Sequence, residues 1–188
     1  MGVIGKLILK GMNISHSAIS RWGLSFLTLS VADKVLDIGC GGGANIARLL
    51  QLCPKGYVAG IDISEESVTS SRKRNKTALG AHCDIIRANV SDMPFEDNTF
   101  DAVTAFETVY FWEDLSKCFS EVNRVLKKDG VFMIVCAADD TSSVWSSIID
   151  DMTIYGNQEL KKYLEQTGFT DVKIHKKGAC ICITAKKS

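Results

Sequence analysis

Lys34-Val-Leu-Asp-Ile-Gly-Cys-Gly-Gly-Gly43 runs an apolar strand into an acidic residue and then into a glycine-crowded turn. Val35, Leu36 and Ile38 are the residues of a strand buried on both faces. Gly39 and Gly41 can adopt backbone angles closed to other residues, so main-chain N–H groups can come close to a ligand. The next segment, Ala44 to Leu52, reads as a helix whose positive end faces the turn. Strand, glycine turn and helix in this order hold a nucleotide. The spacing Gly39-x-Gly41-x-x-Ala44 also fits the dinucleotide fingerprint, so the turn alone leaves the cofactor open.

Outward from the turn, the 188 residues suit one domain, 1–188, with a helical cap over residues 1–30 and a core that needs neither disulfide nor metal. Lys+Arg and Asp+Glu both total 22 and the pI is about 6.8. That balance disfavours a general phosphate-backbone binder, so nucleic acid is not an expected partner. Charge is uneven, with eight acids against one base from Asp84 to Asp114 and seven lysines against two acids from Lys161 onward. These runs are read as solvated faces, against a partner surface as the alternative. Seven cysteines without paired spacing point to reduced thiols and a cytoplasmic location. Val3 to Leu9, interrupted by Lys6, is too short to span a membrane, and no membrane partner is expected.

Strand-like and helical runs alternate along most of the chain, the pattern of an α/β domain with a mainly parallel sheet. The expected strands are Lys34–Ile38, Tyr57–Asp62, Asp84–Ala88, Phe100–Phe106 and Val131–Ala137. Ser64 has the chemistry of an N-cap for a helix over Ser64–Leu79, with Glu65 and Glu66 at its start and Arg72 to Lys76 near its end. Leu115, Phe119, Val122 and Leu126 recur at helical spacing, and Asp129-Gly130 is the expected stop. Val144–Ile154 and Gln158–Thr167 read as short helices, and residues 14–30 as an amphipathic one. Thr170–Lys176 and Ala179–Ala185, joined at Lys177-Gly178, should form an antiparallel hairpin at the sheet edge.

Asp62 lies 23 positions after Gly39, at a strand end where a carboxylate can accept hydrogen bonds from a ribose diol. Dinucleotides and S-adenosylmethionine share that diol. Asp37, two residues before Gly39, sets a negative charge beside the turn, which repels a pyrophosphate and suits an amino-acid ammonium. Asn89, after the third strand, is suited to read an adenine edge, and no second substrate domain follows. These features favour S-adenosylmethionine over a nicotinamide dinucleotide.

Val35-Leu-Asp-Ile-Gly-Cys-Gly-Gly-Gly43, Gly60-Ile-Asp-Ile-Ser64, Met93-Pro-Phe-Glu-Asp-Asn-Thr-Phe-Asp101 and Leu126-Lys-Lys-Asp-Gly130 resemble the successive motifs of class I S-adenosylmethionine-dependent methyltransferases. His16, Trp22-Gly23-Leu24 and Glu107-Thr-Val-Tyr-Phe-Trp112 resemble a group of small bacterial and archaeal members. The resemblance implies a Rossmann-like, doubly wound seven-stranded sheet ordered 3-2-1-4-5-7-6, its last strand antiparallel, with helices on both faces. It also implies that Gly39, Cys40 and Gly41 line the methionine part of the donor, that Asp37 supports its amino group and that Asp62 takes the ribose hydroxyls. Ile63 would cover the adenine face, while Val90 and Asn89 meet its edge and Phe106 stands near the donor. The family usually carries Asp at position 89; Asn keeps a carbonyl acceptor and loses the charge.

Methyl transfer from a sulfonium asks the protein to align a nucleophile and exclude water. Glu107 and Tyr110 follow the fourth strand at the carboxyl edge of the sheet and are candidates for substrate contact or proton removal, against a role in loop packing. His16 is a candidate base or a surface histidine, and Trp22 a donor contact or a packing anchor. No His, Cys or carboxylate spacing matches a zinc or iron site, and Cys180 and Cys182 read as sheet packing rather than as a thiol pair for a soft metal. The expected activity is methyl transfer to a small-molecule acceptor, with a homodimer open. An NAD-dependent oxidoreductase and a non-catalytic donor-binding module remain the alternatives.

Overall fold

The computed structural model describes residues 18–137, 153 and 155–188. Its strands are β1 (Lys34–Ile38), β2 (Tyr57–Asp62), β3 (Cys83–Arg87), β4 (Phe100–Phe106), β5 (Leu126–Ala137), β6 (Phe169–Lys177) and β7 (Cys180–Lys187). They form one seven-stranded sheet in the order β3-β2-β1-β4-β5-β7-β6. Pairing is parallel from β3 across to β5, and β7 runs antiparallel to β5 and β6. This is the order that the family resemblance implied.

The helices are α1 (residues 18–24), α2 (Ala44–Leu52), α3 (Glu65–Arg74), α4 (Leu115–Val125) and α5 (Asn157–Gln166). Alternation along the central strands divides the core into two layers. Leu36 and Ile38 of β1 with Phe132, Ile134 and Cys136 of β5 pack beside the buried stripes of α4 and α5. Val35, Met133 and Val135, on the opposite face, pack with Ile46 and Leu49 of α2, Val68 of α3 and Leu24 of α1. Both faces of the parallel block are therefore covered, which is why its central strands are mostly apolar rather than alternating.

Several boundaries differ from the sequence expectation, each for a visible reason. The helix after Ser64 stops at Arg74 rather than Leu79, because buried Asn75 turns its side-chain amide onto Ser71 O (3.0 Å) and Gly43 O (3.1 Å). Asp129-Gly130 lies inside β5, which begins at Leu126 by pairing with Phe100. Asp129 there takes a φ of 62°, and pairing resumes at Ala102↔Val131. The hairpin turn is Gly178-Ala179, one residue later than expected, with Lys177↔Cys180 as its closing pair. Gly178 at φ 57° provides the left-handed first position of a two-residue turn. The helix expected over 14–30 is seen as 18–24 within the described residues, and the helix expected over 144–154 lies outside them. No helix among the described residues is long and apolar enough to cross a membrane.

Candidate functional site

The glycine turn leaves β1 with Gly39 at φ 68°, Gly41 at 51° and Gly43 at 74°, angles that make glycine necessary. Gly39 and Cys40 donate their N–H groups to Ile61 O at 2.8 and 3.0 Å, tying the turn to β2. A side chain at Gly39 would collide with Thr108 Oγ1, whereas at Gly41 nothing lies within 4 Å of a built Cβ. The outer side of the turn is thus open to a ligand's approach. Asp62 grips the turn from β2 by accepting Gly41 N–H and Ser64 N–H, both at 2.9 Å. From α3, Arg74 Nε donates to Gly42 O at 2.7 Å, and Asn75 holds Gly43 O. Asp62 still has lone pairs to offer, since a carboxylate accepts about four hydrogen bonds.

Asp37 is 1% exposed and accepts Thr104 Oγ1–H at 2.7 Å. Burial pushes its carboxyl up to about 7; the Thr104 bond opposes this, and the charge of Asp62 adds to it. The charge that the sequence placed beside the turn is therefore only partly developed at neutral pH. An ammonium against Asp37 would favour its ionised form.

The turn opens onto a cleft of about 420 Å³ along the carboxyl ends of β1, β2 and β4, a volume suited to a small ligand. Of the residues expected to bind or react, Gly39, Asp62, Ile63, Asn89, Val90 and Glu107 line it. Ile63 is 65% exposed, and Arg87 Nε donates to its carbonyl at 2.9 Å, which sets the strand end. Asn89 Oδ1, expected to read an adenine edge, already accepts Ser91 N–H at 3.0 Å.

Other expected contacts lie outside the lining. The Cys40 thiol turns toward Ser71 Oγ of α3 (3.9 Å), so this residue can offer a ligand its backbone only. Phe106 is buried among Val35, Met133, Val135 and Cys182. Trp22 packs edge-on against Phe26 at 5.4 Å with Lys177 Nζ 6.0 Å above its ring, which makes it an anchor of α1. His16 lies outside the described residues.

Glu107 has the least comfortable position in the site. It sits directly after β4 at φ 54°, a left-handed conformation costly for a residue with a side chain, and donates its own N–H to Val135 O at 2.8 Å. Glu107 Oε2 accepts Tyr110 O–H at 3.1 Å. Glu107 Oε1 is buried with no hydrogen-bond partner among the described residues. Burial raises this carboxyl to about 7 against the lowering effect of Tyr110. Tyr110 itself is 4% exposed and sits beneath Glu107 rather than in the cleft.

Thr108, Phe111, Trp112 and Lys117 also line the cleft and were missed as site residues. Phe111 belongs to a one-turn 3-10 helix, Val109–Phe111, and is 52% exposed at the mouth. The aromatic block Tyr110-Phe-Trp112 was the available signal, but only the turn decides that residue 110 points inward and residue 111 outward.

The family profile described as a methyltransferase domain matches residues 36–134. Cycloartenol-C-24-methyltransferase 1 of Oryza sativa subsp. japonica is 36% identical over 102 residues, which are 54% of this chain and 29% of that protein. The chain thus spans about a third of the length of that relative. Among solved structures, an S-adenosylmethionine-dependent methyltransferase from Aquifex aeolicus superposes with a TM-score of 0.77 at 22% identity, covering 90% of this chain and 89% of that one. Geranyl diphosphate C-methyltransferase from Streptomyces coelicolor A3(2), solved with Mg2+, geranyl diphosphate and S-adenosyl-L-homocysteine, gives 0.81 at 18% identity, covering 97% and 83%. The family match decides between the two cofactors that the glycine turn left open. Strand order, glycine turn and profile agree that the chain belongs to the methyltransferase domain family of class I S-adenosylmethionine-dependent methyltransferases.

Proposed function

We propose that this chain transfers the methyl group of S-adenosylmethionine to a small-molecule acceptor and that Glu107 receives the proton the acceptor loses. The backbone of Gly39, Cys40 and Gly41 lies under the amino-acid part of the donor, Asp37 takes its ammonium and Asp62 its ribose hydroxyls. Ile63 covers the adenine, and Val90 and Asn89 meet its edge. Asn89 does so with its side-chain amide donor and the remaining lone pair of an oxygen already turned toward Ser91.

The bound donor supplies a methyl group activated on a cationic sulfur. What the chain must provide is alignment, exclusion of water and a place for the proton. Among the described residues Glu107 Oε1 is buried without a hydrogen-bond partner, and a carboxyl raised to about 7 suits a general base near neutral pH. Tyr110 orients it through Oε2. Phe111 and Trp112 give the cleft an apolar wall, which fits an acceptor with an apolar body, as have the cycloartenol and geranyl diphosphate in the relatives' names.

The observation carrying this reading is the buried Oε1, without a partner among the described residues, of a strained residue at the carboxyl end of a central strand. The test is release of S-adenosylhomocysteine from S-adenosylmethionine across a panel of isoprenoid, quinol and phenolic acceptors. Donor binding without turnover on any acceptor would favour a non-catalytic binding module.

A further inference from the structure

The lysine-rich end of the chain has a definite place relative to the cleft. β7 runs antiparallel to β5 and pairs Cys180 with Ala137, so the hairpin turn after Lys177 projects past the carboxyl end of β5. That is the edge of the sheet on which the cleft opens. α1 lies beside the hairpin at the same level. Gly23 leaves no room for a Cβ against Val135 Cγ2, its carbonyl lies 3.9 Å from Cys182 Sγ, and Val135 O accepts the Glu107 N–H.

This corner combines cations with partly exposed aromatic rings. Lys177 Nζ lies 6.0 Å above the Trp22 ring, Trp22 meets Phe26 edge-on, and Phe26 stacks on His175 at 3.8 Å while remaining 37% exposed. Arg21, Lys176 and Lys177 are exposed, and none of the three is ion-paired among the described residues. Acids are scarce here. The chain has none before Asp33, and the one acid between Gly168 and Ser188, Asp171, is paired with Lys173 at 2.8 Å. Basic side chains draw a surface toward anionic phospholipid, each contributing roughly fivefold to the partition, and aromatic rings beside them settle at the headgroup boundary. Nucleic-acid binders commonly neutralise about six to ten phosphates, more than these cations supply.

We propose that Trp22, Phe26, Lys176 and Lys177 form a docking surface for an anionic lipid bilayer, which turns the cleft mouth with its exposed Phe111 toward the membrane that holds the apolar acceptor. The expectation of no membrane partner rests on the lack of a spanning segment, which a surface contact does not need. The acceptor class rests on the function proposed above, whereas docking is measured without donor or acceptor, so the two can fail separately.

The test is flotation of the full chain with vesicles. Phosphatidylcholine carrying about one third phosphatidylglycerol should bring the protein into the lipid layer, and phosphatidylcholine alone should not. Lys176→Gln combined with Lys177→Gln should lower the partition coefficient roughly 25-fold, and Phe26→Ser several-fold, with circular dichroism spectra like that of wild type in both. Recovery that is equal with neutral and anionic vesicles, or absent with both, would overturn the proposal. So would variants that float like wild type, or capture by RNA in place of vesicles. Vesicle binding without turnover on any acceptor would sink the proposed function and leave the docking surface standing.

Discussion

On the β1–β3 side of the cleft, Asp62, Arg74 and Asn75 each hold a backbone group of the glycine turn or its neighbour, at distances between 2.7 and 3.1 Å. At the end of β4, in contrast, Glu107 adopts a left-handed backbone and buries an oxygen without a partner among the described residues. One side is braced in advance for a ligand of constant shape. The other stores strain and an unmade bond, the combination found where a group must exchange a proton rather than hold a shape. Donor binding and proton handling should therefore separate under mutation.

The largest effect tests the strained side. Glu107→Gln should lower kcat by roughly 10²- to 10⁴-fold, as expected for loss of a general base. The affinity for S-adenosylhomocysteine, read by calorimetry, should stay within about twofold. A comparable fall in both quantities would erase the contrast. Next, Asp62→Ala on the braced side should weaken that affinity roughly 100-fold, through the lost ribose contacts and the freed Gly41 and Ser64 amides. Its turnover at saturating donor should remain close to wild type.

A third test uses pH. Asp37 and Glu107 both have carboxyls raised to about 7. The unfolded chain loses these protons near pH 4, while the folded chain keeps them until about 7. Their contribution to stability is therefore fully present below about pH 4 and is lost as pH rises to 7. Above pH 7 the buried, ionised carboxylate of Asp37 costs the folded state up to about 4 kcal/mol; Asp37→Asn removes that cost, so the variant should melt higher than wild type at pH 8 while binding the donor less tightly. A lower melting temperature at pH 8 would mean that burial does not burden Asp37.

The smallest expected effect is Tyr110→Phe. Removing the phenol that favours ionised Glu107 should reduce kcat several-fold and move the acid limb of the rate profile to higher pH. A limb that stays in place would limit Tyr110 to packing.

The bounds of β1, β2 and β4 could be read residue by residue because they are largely apolar runs that stop at Gly39, Asp62 and Glu107, where local pattern and burial agree. The end of α3 could not, since Asn75 stops it through a carbonyl 32 residues away. The site divides in the same way. Gly39, Asp62, Ile63, Asn89, Val90 and Glu107 carry local signatures of turn chemistry or strand-end position and do line the cleft. Thr104 beneath Asp37, Thr108 against Gly39 and Arg74 on Gly42 carry none, because each matters only through a partner on another element.

The sequence by itself determined the α/β alternation, the glycine turn and the acidic residues at the strand ends, since these follow from period, backbone freedom and charge within a few consecutive positions. Only the tertiary structure decided how far the carboxyls of Asp37 and Glu107 are raised and which oxygen is left without a partner among the described residues. Burial and hydrogen bonding depend on what the rest of the chain packs against each group, and adjacent strands bring together residues that the sequence keeps far apart.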